Sequence, residues 1–424
     1  MVIAVVAVFV IGYAFIAFEH KVHINKAASA LAAGIIAWTI YVLWVPDKHL
    51  VQEALTAHFE GVAEILFFLL GAMTIVELID AHGGFDVITN RIQTRSKRTL
   101  LWIIGITAFL LSSVLDNLTT TIVMVSLVRK LLSDRDDRLV FAGIIIIATN
   151  AGGAWTPIGD VTTTMLWIGG NITTLATIKH LFLPSLACLF VPLIVISPSI
   201  RGKVARIERG AAQVTAGKNV VFFLGIGALL FVPVFKSITH LPPFLGMLLG
   251  LSVLWITTEI MHRGKEHEHR TKLSVGRALQ KIDSASVLFF LGILLCIAAL
   301  DAVGVLERTA VFLNTTVKNE AMIVVLIGVI SAVVDNVPLV AAAMGMYPLS
   351  AHPADSAFWQ FLAYCAGTGG SMLIIGSAAG VAAMGMEKID FLWYLKRISL
   401  LALLGYAAGI AVFLGERALF PSFF

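Results

Sequence analysis

Apolar residues fill long runs along this chain, separated by short polar breaks, and the runs recur from end to end. About 20 consecutive apolar residues make one helix that crosses a bilayer. The pattern predicts ten crossing segments, roughly 1–18, 27–45, 61–80, 139–170, 180–200, 219–236, 242–261, 283–302, 356–386 and 391–415. Two other stretches, 99–131 and 320–348, are too long for one helix and carry polar residues at their centres. Each reads as two crossings or as a re-entrant hairpin that enters and leaves on one side. Segments 139–170 and 356–386 are also overlong, and glycines interrupt both. The runs lack the polar faces of soluble helices, and the period-two alternation of a membrane β-barrel is absent. The expected fold class is an all-α polytopic membrane protein.

Composition agrees: 58% of the 424 residues are hydrophobic and 13% charged, against about 25% charged in an ordinary soluble domain. The formal net charge of +4 says little about partners, but the placement of the charges is informative. Cytoplasmic loops are enriched in Lys and Arg. With both long central stretches re-entrant and the N-terminus outside, the inward loops hold 24 of the 30 basic residues. Basic loops flank 99–131 on both sides, so that hairpin opens inward, whereas 320–348 opens outward. Both termini are then expected outside. The stretch "MVIAVVAVFVIGYAFIAF" lacks a basic leader and a small-residue cleavage site and is read as a first span, not a cleaved signal. Cys188, Cys296 and Cys365 fall inside apolar spans and give no disulfide framework.

Three stretches recur in order. "FFLLGAMTIVELIDAHGG" from Phe67 matches "FFLGILLCIAALDAVG" from Phe289, "SSVLDNLTTTIVM" from Ser112 matches "SAVVDNVPLVAAAM" from Ser331, and "TNAGGAWTPIGD" from Thr149 matches "AGTGGSMLIIGS" from Ala366. The offsets, 222, 219 and 217 residues, point to one duplication. Each half then has five crossings and one hairpin, and an odd number of crossings turns the second copy upside down. The expected organisation is a first inverted repeat at 1–200 with hairpin 99–131 and broken helix 139–170. A cytoplasmic linker at 201–218 leads to a second repeat at 219–424, with hairpin 320–348 and broken helix 356–386.

The breaks carry the chemistry. A charged Asp at mid-membrane costs roughly 2.5–3.5 kcal/mol on insertion scales, so Asp116 and Asp335, at matched positions, need a reason. Capping the following helix is one, but Ser or Asn would cap without a charge. A cation site is the other, because a hard cation takes carboxylate, amide, hydroxyl and free backbone oxygens. Ser112, Ser113, Asp116, Asn117, Thr119 and Thr120 supply these from the first hairpin. Thr149, Asn150, Thr156 and Asp160 supply them from the interrupted span, with Gly152, Gly153 and Pro157 breaking its helix. A buried carboxylate holds a proton or a cation but not both, which is the minimum an antiporter needs. The second copy keeps Asp335 and Asn336 and has glycine breaks at Gly369 and Gly370. It offers Thr368, Ser371 and Ser377 but no carboxylate matching Asp160.

"SSVLDNLTTTIVM" and "TNAGGAWTPIGDVTTTMLW" closely resemble the signature stretches of the NhaD-type sodium/proton antiporters, within the superfamily that also holds arsenite and dicarboxylate carriers. The resemblance implies a homodimer whose protomers pair a scaffold part with a transport part in an elevator-type cycle. It also implies exchange of sodium or lithium for protons, favoured at alkaline pH, with no cofactor and a multi-pass place in a bacterial inner membrane. By position it carries Asp116, Asn117, Thr119, Thr120, Asn150, Thr156 and Asp160, together with Asp335 and Asn336. Sodium is expected at Asp116, Asn117, Asn150 and Asp160.

Glu77, well inside the third span, is a further candidate as a proton relay, whereas Asp80 and Asp301 read as helix-end caps. Glu64 lies in that same span, and Glu259 reads as a solvated residue near a cytoplasmic end. "HRGKEHEHR" holds His262, His267 and His269 and reads first as a solvated cytoplasmic loop, with metal binding or pH sensing the sharper alternatives. Trp44, Trp102, Trp167, Trp359 and Trp393 fall near span ends, as interfacial belts require. Nothing resembles a nucleotide loop, a nucleic-acid patch or a catalytic motif such as HExxH or GxSxG, so an enzyme is not expected. The competing class is an anion carrier of the same superfamily, for arsenite or a sodium-coupled carboxylate. Two Asp residues at the hairpin tips would repel its substrate.

Overall fold

A computed structural model describes residues 1–17, 19–89, 94–204, 217–263 and 273–420. Among these residues the chain is helical, with no sheet and one isolated bridge from Ser96 to Lys203. Most of the expected linker and both His267 and His269 lie outside the described residues. Among the described residues eight helices are long and apolar enough to cross a bilayer: Lys26–Trp44, Lys48–Ala81, Arg135–Ala154, Thr174–Ser199, Lys218–Thr239, Pro243–Met261, Ser284–Ala302 and Ser399–Leu419. The expected first span is a shorter helix, Val2–Ala17. Apolar side chains such as Ile3, Trp44, Leu175, Ile238 and Ile260 stand exposed on the outside, where a bilayer would cover them.

Three segments differ from expectation. The expected span 61–80 is the second half of one 34-residue helix, Lys48–Ala81. Asp47 starts that helix by accepting a hydrogen bond from the His49 amide at 2.9 Å. No glycine or proline then interrupts it before Gly61, so the polar stretch expected as a loop is helical. The expected span 391–415 is two helices, Phe391–Arg397 and Ser399–Leu419; Lys396 and Arg397 sit at the favourable negative end of the first. Residues 305–316, assigned no element from the sequence, form a helix bent by 119° from Glu320–Ile330.

The four polar breaks fall where the pattern put them. Lys97–Ser112 and Asn117–Leu131 are separated at 113–116, and Glu320–Ile330 and Asn336–Met346 at 331–335. Arg135–Ala154 and Val161–Ile168 are separated at 155–160, and Ala357–Gly369 and Ala378–Glu387 at 370–377. Tertiary contacts at these breaks come in matched sets. Ser112 Oγ donates to the Thr149 carbonyl at 2.7 Å, and Ser331 Oγ to the Ala366 carbonyl at 3.2 Å. A methyl group on Gly152 would lie 2.2 Å from the Phe109 carbonyl oxygen, and one on Gly369 2.0 Å from that of Gly328. Only glycine permits these backbone crossings. Helices Lys48–Ala81 and Ser284–Ala302 also end alike, with Gly83 and Gly304 in the left-handed region donating to the Asp80 and Asp301 carbonyls at 2.8 Å.

Packing falls into two groups. Lys26–Trp44 packs chiefly on Ser284–Ala302, which also meets Lys48–Ala81; Lys218–Thr239 and Pro243–Met261 pack on each other and on Lys48–Ala81. In the second group Arg135–Ala154, the most enclosed of the long helices, meets both arms of 97–131 and the helices of 357–387. Thr174–Ile196 packs chiefly on Ser399–Leu419.

Candidate cation site

Four helices begin at the wall of one cavity lying between the two groups. Asp116, Asn117, Asp160, Val161, Asp335 and Ala378 line it from the broken elements; Lys26, Phe68, Met247, Ser286 and Phe290 line it from the other group. Its enclosed space, about 60 Å³, admits a few waters or one small cation with part of its hydration.

Each of the four helices is capped from its own break. Asp116 accepts from the Thr119 amide at 2.7 Å and from Thr119 Oγ1 at 2.6 Å. Asp160 Oδ1 accepts from the Thr162 amide at 2.8 Å and from Thr162 Oγ1 at 2.7 Å. Asp335 Oδ1 accepts from the Val337 amide at 3.1 Å, and Ser377 Oγ from the Gly380 amide at 3.1 Å. Capping therefore occurs at every break, and it accounts for a polar side chain there. It does not account for three of the four being carboxylates, since Ser377 performs the same task without charge.

An amide relay crosses from one half of the chain to the other. Asn117 Nδ2 donates to Asp160 Oδ2 at 2.6 Å and to Asn150 Oδ1 at 2.9 Å. Asn150 Nδ2 in turn donates to Ser371 Oγ at 2.9 Å and Ser377 Oγ at 3.0 Å. This arrangement leaves the Asn117 amide oxygen and Asp335 Oδ2 without a protein donor among the described residues. Those atoms and the spare lone pairs of Asp116 and Asp160 are oxygen ligands suited to a hard cation.

Other expected residues hold the frame. Thr156 Oγ1 donates to the Ser113 carbonyl at 2.7 Å, Ser113 Oγ to the Leu110 carbonyl at 2.8 Å, and Thr368 Oγ1 to the Tyr364 carbonyl at 2.6 Å. Thr149 pairs with Thr121, hydroxyl to hydroxyl, at 3.0 Å. Asn336 is buried, and the Thr120 hydroxyl is buried with no hydrogen-bond partner among the described residues. Gly153 and Gly370 lie against the carbonyls of Gly159 and Gly376, closing each break on itself. Glu77 is not among the cavity's lining residues; it pairs with Lys281 at 2.8 Å.

His262 departs from its expected place in a solvated loop. It is buried, with its Nε2 at 2.9 Å from His82 Nε2 and the rings stacked, because it ends helix Pro243–Met261 where that helix packs on Lys48–Ala81. Lys26, one of the basic residues of the polar break before the second apolar run, also lines the cavity. Tyr13, in the first apolar run, reaches the same region, its hydroxyl accepting from the Asp335 amide at 3.1 Å. Neither breaks the periodicity of its neighbours, so only distant contacts reveal them.

Helix N-termini attract anions, and four together would suit an anionic substrate if their amides were free. Here carboxylates occupy three of the four and turn the cavity negative. Fold and cavity thus describe a polytopic membrane protein whose helix breaks put three carboxylates on one cavity. A family model described as "Citrate transporter" matches residues 13–367. "Sodium/proton antiporter 1" of Arabidopsis thaliana is 52% identical over 98% of this chain and 73% of its own length. "Sodium/proton antiporter 2" of the same plant is 50% identical over 96% and 97%. The NhaD antiporter of Vibrio cholerae is 33% identical over 97% and 91%. The chain belongs to the NhaD-type sodium/proton antiporters within that wider transporter family.

Proposed function

We propose that this protein exchanges sodium or lithium for protons across a membrane, with cation and proton competing for Asp116 and Asp160. The observation that carries the site is that both carboxylates line one cavity, where Asn117, the residue after Asp116, donates to Asp160. Sodium is held by Asp116, Asn117, Asn150 and Asp160, and Asp335 offers a further carboxylate to the same cavity. With a proton on the carboxylates their charge is cancelled and sodium is released; loss of the proton restores the site. The exchange reading is preferred to the anion carrier because carboxylates fill the helix N-termini an anion would use, and because the curated relatives are named antiporters.

Two inverted repeats are supported by the matched contacts at Ser112 and Ser331 and at Gly152 and Gly369, and by the sequence echoes. A scaffold made of the helices at 2–81, 218–261 and 284–302, with the remaining elements as the transport part, is supported by the two packing groups. In that scheme the transport part carries the carboxylates past the scaffold, elevator-fashion. Loop charge supports 97–131 as an inward-opening hairpin, 320–346 as its outward-opening counterpart, and both termini outside. Dimerisation follows the family resemblance.

Proteoliposomes with an acid interior test the exchange. Adding sodium or lithium should dissipate the pH gradient, and adding citrate or arsenite should not. Failure of both cations from neutral to alkaline pH, with inserted protein shown, would overturn the reading.

A further inference from the structure

We propose that Lys26 is a fixed counter-charge of the cation site, which weakens sodium binding in this conformation and so speeds its release. The inference rests on the cation-site reading above. Lys26 lines the cavity that Asp116, Asp160 and Asp335 also line. Its ammonium lies 4.6 Å from the centre of the Phe289 ring, and no carboxylate is within ion-pair distance of it among the described residues. A surface lysine is usually free to turn to solvent. This one is partly buried at the first turn of helix Lys26–Trp44, where Asn25 caps the helix and its own amide donates to Glu19 at 3.1 Å.

The positions of the charges give the device its logic. Lys26 and Phe289 belong to the helix pair Lys26–Trp44 and Ser284–Ala302, whereas Asp116 starts a helix that packs on Arg135–Ala154 and Ala378–Glu387 in the other packing group; the helix that Asp335 starts, Asn336–Met346, packs on Ser284–Ala302 itself. An ammonium and a sodium ion in one cavity repel each other, and at the low effective dielectric of a protein interior that repulsion reaches well beyond contact distance. Holding the ammonium on an aromatic face keeps it near the cavity without neutralising a carboxylate. A bound sodium is therefore less stable here than the carboxylates alone would make it. A conformation that carried the carboxylates away from Lys26 would hold sodium more tightly.

Chemical restoration of the charge tests this. Lys26→Cys in the full chain should lower the sodium concentration for half-maximal exchange, on the order of tenfold, and lower the maximal rate. Treatment with aminoethyl methanethiosulfonate, which attaches an ammonium through a mixed disulfide, should return both values toward those of the parent. Treatment with the neutral methyl reagent should not. Cys188, Cys296 and Cys365 are buried, and the treated parent chain is the control for them. Lys26→Arg should keep the parental values. Half-saturation unchanged in Lys26→Cys, or equal rescue by both reagents, would overturn the role of charge while leaving the exchange reading intact. Absence of sodium-driven proton movement in the parent would overturn the exchange reading and this assignment together.

Discussion

At the residue scale, Asp116 combines two tasks that a substitution can separate. Its oxygens cap the helix Asn117–Leu131 through Thr119, and its charge faces the cavity. Asn caps about as well as Asp. Asp116→Asn should therefore keep thermal stability within about 1 kcal/mol and abolish sodium-dependent proton flux in proteoliposomes. Retained flux would reduce Asp116 to a cap. Asp116 and Asp160 were legible in the sequence because a carboxylate inside an apolar run demands an explanation. Ser377 was legible only as the place where a matching carboxylate is missing. Its cap on Gly380 is local, but the bond it receives from Asn150 joins residues 227 apart in the chain.

At the element scale, the broken helices owe their geometry to glycines pressed against backbone. The Phe109 carbonyl faces Gly152 and the Gly328 carbonyl faces Gly369, and neither can step aside as a side-chain tip could. Gly152→Ala and Gly369→Ala should each destabilise the protein by about 1–3 kcal/mol, read as a lower melting temperature in detergent. Gly227→Ala, at a position with nothing close to the added methyl, serves as the control. The breaks themselves were visible as Gly and Asp clusters. The helix Lys48–Ala81 was not, because hydropathy marks where a helix can lie in lipid and not where it starts. At about 1.5 Å per residue its 34 residues outreach the hydrocarbon layer.

At the scale of the whole molecule, ion pairs tie the two halves together beside the broken helices. The buried carboxylate of Glu387, ending helix Ala378–Glu387, meets Arg129 Nε at 2.7 Å and Arg138 Nε at 3.1 Å. Arg129 Nη2 also donates to the Met386 carbonyl at 2.7 Å. Removing one partner of a buried ion pair leaves the rest uncompensated and costs about 3–5 kcal/mol, less here because Arg129 is half exposed. Glu387→Gln should lower the melting temperature clearly. Glu320→Gln, an exposed acid with a long contact to His352, should change it little. A melting temperature unaffected by Glu387→Gln would show that the two halves do not depend on this pair.

Fold class, most crossing segments, the four breaks and the family could all be read from the chain itself, because hydropathy, loop charge and the cost of buried carboxylates act on local sequence. The single cavity shared by Asp116, Asp160 and Asp335 could not. Neither could the relay from Asp160 through Asn117 and Asn150 to Ser371 and Ser377, the burial of His262 against His82, or the place of Lys26 in the wall. Each depends on residues far apart in the chain, brought together by helices whose mutual packing no local pattern specifies.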